Sequence, residues 1–397
     1  AGNGDHQGSG RVGGDGVMAK LGEVCRISPS TKSISRQNAW LLNLDMIEQQ
    51  TGRVNRHNYV SEEELRGSIV QFDTENVLYS KLRPNLNKVV LPDTDGFSTS
   101  ELLPLRPDSS VLDRDYLATF LRSDNFVIWA VSKTAGAKMP RLGTKELMNV
   151  EIPIPTIEQQ KAIAAKFKKL EQLIFLHKQQ LTKLDELVKA RFVEMFGDPV
   201  YNEMHWETKR LIDICRIIVD CPHSTPHYTT KDTGYKCIRT SAVKKNKILW
   251  EKVECISKQE YEERIKRKRP EKGDVIYTRE GAILGISAVI DRDYNVALGQ
   301  RSMLLSPDIY KCTPCFLSMA MNFDSFLGKA LGGVSGSASP HINVGDIKAL
   351  EIIAPPIEIQ NQFSTFVERV DQQKQTVQQS LEKLELMKKA LMQGYFG

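Results

Sequence analysis

Nowhere in its 397 residues does the chain string together the roughly eighteen apolar residues a membrane-spanning helix needs, which excludes an integral helical membrane protein. Nucleotide-hydrolysing and methyl-transferring signatures are missing too. There is no G-x-x-x-x-G-K-[ST] loop, and no Asn/Asp-Pro-Pro-Tyr/Phe run of the kind adenine methyltransferases use. Glu280, directly after Arg279, lacks the companions a nuclease site requires, so no catalytic residue is expected. Cysteine is scarce: seven, an odd number, thinly spread and without a secretory apolar stretch ahead of them, which points to a reducing cytoplasm. A surplus of one charge is also lacking, because 54 Lys and Arg face 49 Asp and Glu, leaving a formal charge of +5. A nucleic-acid partner is allowed, but its basic surface has to be local. With 41% hydrophobic and 26% charged residues the chain is an ordinary globular one, long enough for two or three domains.

Residues 1–17 contain seven glycines and almost nothing to bury. Gly8, Gly10 and Gly13 satisfy G-x-G-x-x-G, yet no strand precedes them and no helix follows, so the segment reads as a disordered tail or cloning remnant, with Met18 as the natural start.

What the chain does have is a repeat. Residues 155–197 align with 355–397 without a gap, and thirteen of forty-three positions are identical, where chance gives about two or three. Both blocks close on Phe-Gly, at 196–197 and 396–397. Residues 20–27 likewise mirror 210–217, and Asn76-Val77-Leu78-Tyr79-Ser80-Lys81 mirrors Asp274-Val275-Ile276-Tyr277-Thr278-Arg279. The chain is two copies of one unit, each a globular module of mixed helix and strand followed by a long amphipathic segment. An α+β fold is expected, with modules at 18–155 and 198–355 and long helices at 156–197 and 356–397.

Steps of four and three from residue 163 pick out Ile163, Phe167, Leu170, Ile174, Leu181, Leu184 and Val188; from 363 they pick out Phe363, Val367, Val370, Val377, Leu381, Leu384 and Leu391. That 3.5-residue period over four heptads predicts a coiled-coil seam. His177, Arg191, Lys374 and Lys388 also fall on it, as snorkelling or register-setting residues. Thr156 with Gln159 fits a capping box, and Pro356 suits a first helical turn. Each helix would be about 58 Å long and needs a partner. The two can pair antiparallel about a pseudo-twofold axis, forming a ruler of about 17 base pairs of B-DNA at ~3.4 Å each.

Ile152-Pro153-Ile154-Pro155-Thr156-Ile157-Glu158-Gln159-Gln160 opening a long helix resembles the specificity subunits of type I restriction–modification systems. So do Asp274 to Gly281, Leu78 to Pro84, and Gly336-Ser337 followed by Pro340-His341-Ile342. The second block departs slightly, with Ile359 where the first has Gln159. The resemblance covers residues 18–397. It implies a non-catalytic subunit whose two target-recognition domains each read one half of a bipartite site on double-stranded DNA. It also implies that the helices hold the domains apart and dock two methyltransferase subunits, which restriction subunits join. S-adenosylmethionine, Mg²⁺ and ATP would then belong to the partners, and this chain would hold no cofactor of its own. An isolated copy could pair with another through its seam. A scaffold that joins helical proteins without reading DNA is the alternative.

Candidate DNA contacts follow from residue type and loop position. Ser80, Lys81, Arg83 and Lys88 surround a strand end, and Thr278-Arg279 repeats the hydroxyl-then-cation pair. The polar loop 220–228 offers His223, Thr225 and His227. Lys266, Arg267, Lys268 and Arg269 belong to a run of six cations from Arg264 to Lys272, which reads equally as a solvated helix end. Lys138 and Arg141 precede the first long helix; Arg301, and Ser337 and His341 in the 332–341 loop, complete the set. Cys312-Thr313-Pro314-Cys315 has metal-ligand spacing, and Cys221, His223 and His227 could complete a site. No second C-x-x-C pair accompanies it, so ordinary reduced thiols are expected.

Overall fold

The computed structural model describes residues 17–136, 138–281, 283–332 and 341–397. Two compact units divide it: residues up to 180 with 377–397, and residues 181–376. Each unit therefore takes one module and one half of each long helix.

The first unit runs β1 (Val17–Lys20), α1 (Leu21–Val24), β2 (Cys25–Ile27), β3 (Ala39–Leu42), β4 (Tyr59–Val60), β5 (Ile69–Phe72) and β6 (Val77–Ser80). It continues through β7 (Val89–Val90), β8 (Gly96–Thr99), β9 (Leu102–Pro107), α2 (Arg114–Leu121), α3 (Asp124–Ser132), β10 (Thr134–Ala135), β11 (Arg141–Leu142), α4 (Thr144–Met148), β12 (Glu151–Ile154) and the start of α5 (Ile157–Phe196). One antiparallel sheet has the order β2-β9-β6-β7 and a second the order β4-β3-β8-β5, in which β3 and β8 run parallel. Val17, counted with the tail on composition, is the first residue of β1 and pairs with Ile154 of β12.

Strand β6 shows why the duplicated Val-Leu-Tyr-Ser run is apolar on both faces. Alternate side chains of a strand point to opposite sides. Val77 and Tyr79 enter the core against α2 and the helix ends, while Leu78 enters the core of Trp40, Phe72, Val90 and Leu102.

The second unit runs β13 (Thr208–Arg210), α6 (Leu211–Ile214), β14 (Cys215–Asp220), β15 (Tyr235–Ile238), β16 (Val243–Lys244), β17 (Lys247–Ile248), β18 (Glu254–Cys255), α7 (Lys258–Arg264) and β19 (Val275–Thr278). It ends with β20 (Ser287–Val289), β21 (Asn295–Leu298), β22 (Ser302–Pro307), α8 (Pro314–Met321), α9 (Asp324–Leu331), α10 (Val344–Ala349), β23 (Glu351–Ile353) and the start of α11 (Ile357–Phe396). Its sheet β14-β22-β19-β20 repeats β2-β9-β6-β7, and β18-β15-β21, again with a parallel pair, repeats β4-β3-β8. The central strand also splits its side chains: Val275 and Tyr277 enter one core and Ile276 another.

Within each unit the two long helices run antiparallel. In the first, Glu171 meets Lys388 at 2.8 Å, His177 Nε2 lies 3.0 Å from Ser380 Oγ, and Lys178 meets Glu385. In the second, Lys374 meets Asp185 and Phe192 packs on Phe363. All fourteen apolar seam residues are buried or half-buried, and so are His177, Arg191, Lys374 and Lys388. The polar seam residues thus act as inter-helix or within-helix partners. Phe192, Phe196, Met392 and Phe396, off the 3.5-residue series, are buried as well, because there the helices also face their modules.

The helix starts are locked to the modules by the same device twice. Thr156 Oγ1 accepts from the Gln159 N–H, and Gln159 Oε1 accepts from the Thr156 N–H. The next residue, fully buried Gln160, accepts from the Asp113 N–H at 2.8 Å and donates to the carbonyls of Val111 and Pro155. Gln360 does the same with the Thr313 N–H and the carbonyls of Lys311 and Pro355. Asp113 and Thr313 in turn cap α2 and α8. Replacing Gln160 by Leu strands one N–H and two carbonyls. A loss of about 2 kcal/mol is expected in chemical denaturation, with Gln159→Leu as the milder control on an exposed position.

At the far end α5 stops at Gly197, whose φ of +71° is a left-handed closing conformation that accounts for glycine in the Phe-Gly pair. Gly394 lies inside α11, which continues to Phe396.

Candidate nucleic-acid interface

Three segments far apart in sequence meet at one end of the main sheet in the first unit. Lys81 follows β6; its N–H donates to the Glu101 carbonyl, and its own carbonyl accepts from the Leu142 N–H. Leu82 bridges to Arg141, and the Arg83 N–H donates to the Pro140 carbonyl at 2.8 Å. The loop carrying Lys138 is thereby placed beside Lys81 and Arg83. Arg83 has a φ of +51° and is exposed, as is Lys138; Lys81 is half-exposed. No acidic side chain pairs with any of these three among the described residues. Arg141, by contrast, is occupied by a two-pronged contact to Glu101 at 3.1–3.2 Å.

The second unit assembles the equivalent segments. The Arg279 N–H donates to the Arg301 carbonyl, the Ile342 N–H to the Arg279 carbonyl, and Glu280 bridges to His341. Here the 220–228 loop joins them through Asp220, the last residue of β14. Its carboxylate accepts from Arg279 Nε at 2.8 Å and from an Arg279 terminal nitrogen at 3.0 Å, and His223 Nε2 lies 3.0 Å away. Arg267 donates to the Asp220 carbonyl, Arg264 to that of Ser224, and Thr225 Oγ1 to Gln300 Oε1. His223, Thr225, His227, Arg267, Arg301 and His341 are exposed around this frame.

Several expected contacts need correction. Ser80 and Thr278 are buried, their hydroxyls spent on the carbonyls of Leu82 and Ile286. The duplicated hydroxyl closes the strand end and leaves no group to reach a groove. Arg279 is buried against Asp220, so the cation after it is structural in the second unit while Lys81 stays accessible in the first. Lys88 is drawn inward to the Leu44 carbonyl, and burial pushes its pKa down. The 264–272 run is split between the last residue of α7 and the irregular chain that follows it. Arg264 is buried between the carbonyls of Leu298 and Ser224, Lys268 lies against Glu271 and Asp274, and Lys266 pairs with Glu263. Arg269 is exposed and bonds Asn295. Ser337 lies outside the described residues.

Asp220 and Glu101, which organise the two clusters, were not singled out from sequence. Asp220 ends the apolar Ile-Ile-Val strand and was visible as a charge at a strand end; its partner, 59 residues away, was not. Glu101 left no signal.

The Cys312/Cys315 pair brackets the start of α8, where Pro314 takes the first helical position. Cys312 is fully enclosed, and burial pushes the Cys315 thiol up to about 12, so neither is poised as a thiolate ligand. Cys221 is buried against the Ser302 N–H. Among the described residues no three His, Cys, Asp or Glu side chains converge to hold a metal, and no helix is long and apolar enough to cross a membrane.

Known proteins resemble this chain in sequence and in fold. The chain is 26% identical over 155 residues to the type I restriction enzyme EcoDI specificity subunit of Escherichia coli, a stretch covering 39% of this chain and only 34% of that protein. Its match to the MjaVIII specificity subunit of Methanocaldococcus jannaschii is 24% identical over 315 residues, 75% of this chain and 72% of the relative. In fold it is similar to the type I restriction–modification S subunit from M. genitalium, with a TM-score of 0.59 at 12% identity, covering 97% and 98% of the two chains. It is also similar, with a TM-score of 0.57 at 19% identity over 96% and 98%, to a chain from a structural study of assembly and conformational transition of the type I restriction–modification system. Residues 15–186 and again 203–386 match the type I restriction modification DNA specificity domain, and the chain belongs to that family as a tandem of two such domains.

Proposed function

We propose that this protein is the sequence-specific DNA-recognition subunit of a type I restriction–modification complex. Each unit reads one half of a bipartite target on double-stranded DNA. The observation that carries the reading is the repeated cluster at the sheet end, where accessible cations and imidazoles stand on loops fixed by backbone hydrogen bonds. Phosphate contacts from Lys81, Arg83, Lys138, Arg267 and Arg301 position the protein, and polar groups such as His223, Thr225, His227 and His341 face base edges. The two clusters differ in side chains, so the half-sites differ.

The long helices set the spacing of the half-sites and dock two methyltransferase subunits, which restriction subunits then join. Chemistry stays with those partners: they hold S-adenosylmethionine, Mg²⁺ and ATP, and the target adenine leaves the stack to enter a partner's pocket. This chain supplies position and specificity.

Co-purification with a methyltransferase subunit, followed by gel shifts on DNA fragments, tests the reading. A complex that selects a split sequence is the expected result. A complex that binds all DNA alike removes the base-reading role and leaves the scaffold. In the selective complex, Lys81→Ala with Arg83→Ala is expected to weaken binding to all sequences and to lower the slope of log K against log salt by about 2. An unchanged slope would exclude this strand end from the interface.

A further inference from the structure

The β16–β17 hairpin of the second unit carries Lys244, Lys245 and Lys247 around a turn centred on Asn246. Asn246 has a φ of +61°, a left-handed conformation that asparagine tolerates. Its N–H donates to the Ser287 carbonyl at 2.9 Å, and its Oδ1 accepts from Ser318 Oγ at 2.9 Å and from Asn322 Nδ2 at 2.7 Å. Asn322 also holds both backbone groups of Ser287. Four polar residues from three elements thus clamp the turn to the first residue of β20. Ser287 directly follows Ile286, whose N–H and carbonyl close the β19–β20 loop onto Thr278. The basic turn therefore lies against the loop that belongs to the candidate interface.

Lys244 and Lys247 are exposed and have no acidic partner among the described residues; Lys245 pairs with exposed Asp324. That contrasts with the cation run at 264–272, where Arg264, Lys266 and Lys268 are engaged by acidic groups. The matching turn of the first unit, closed by the Ile47–Val54 bridge, reads Glu48-Gln49-Gln50-Thr51-Gly52 and has no lysine. Its Arg53 is turned onto the Phe175 ring.

We infer that the Lys244–Lys247 turn is a preformed phosphate clamp, contacting the DNA backbone beside the half-site read by the second unit and absent from the first. Two ammonium groups without acidic partners among the described residues, on a turn held by hydrogen bonds to buried Ser287, Ser318 and Asn322, neutralise phosphates with little ordering cost, and being point charges they carry no base information. The inference rests on the DNA-recognition reading above.

The test uses the complex with methyltransferase subunits and the variant Lys244→Gln/Lys247→Gln, with the salt dependence of binding measured on target and scrambled duplexes. Both positions are exposed, so an unchanged melting profile shows that the fold is kept. The expected result is a slope lowered by about 2 on both duplexes, with the preference for the target retained. A selective wild-type complex whose slope is unchanged in the variant overturns the clamp alone. Loss of methyltransferase binding in the variant assigns the turn to an acidic protein surface and overturns it as well. A wild-type complex without selectivity overturns the recognition reading itself, and the clamp with it.

Discussion

Phe192→Ala is expected to destabilise the second unit by about 3–5 kcal/mol, the range for emptying a fully buried phenylalanine site. Phe192 is completely buried where α5 meets the module. Its ring centroid lies 5.0 Å from Phe196, 5.6 Å from Phe316, 4.9 Å from Phe323 and 5.5 Å from Phe363. Four aromatic neighbours, from α8, from the N-cap of α9 and from both long helices, lose a partner together, and rigid rings refill a void poorly. Urea denaturation followed by tryptophan emission reads the loss. Leu187→Ala, at an exposed position on the same helix, is expected to change stability by less than about 1 kcal/mol. Equal effects from the two substitutions would show that the aromatic cluster does not hold this helix to its module.

Asp220→Ala is expected to cost about 3–5 kcal/mol, because it leaves the Arg279 guanidinium buried without its counter-charge. Side-chain exposures of 8% for Arg279 and 13% for Asp220 mean that water cannot replace the lost carboxylate. The substitution also frees His223 and cuts the tie between the 220–228 loop and the strand end. DNA affinity is therefore expected to fall together with stability. Asp220→Leu combined with Arg279→Met removes both charges and should recover most of the stability, since well-packed apolar pairs substitute for buried ion pairs at little cost. It should not recover DNA binding, because His223 stays unanchored. A double variant as unstable as Asp220→Ala would show that the loss comes from packing and not from the stranded charge.

The buried charges explain which candidate residues were legible in advance. Lys81, Arg83 and Lys138 sit where residue type and loop position put them. Ser80, Thr278 and Arg279 looked the same in sequence, a hydroxyl then a cation after an apolar strand, yet two of those hydroxyls and one cation are consumed internally. Residue type states what a side chain is able to contact. Whether a partner 59 residues away already occupies it is a property of the folded chain.

Sequence alone determined the duplication, the two long helices, their 3.5-residue seam and the capping box at Thr156. These rest on local periodicity and on short-range hydrogen bonds within a helical turn, which the order of residues specifies directly. Tertiary structure alone decided that Gln160 and Gln360 bolt the helices to their modules, that Asp220 gathers three loops into one cluster, and that the lysines at 244 and 247 stand on a clamped turn without acidic partners among the described residues. Each of these depends on groups 40 to 80 residues apart being brought within about 3 Å, and no local pattern carries that distance.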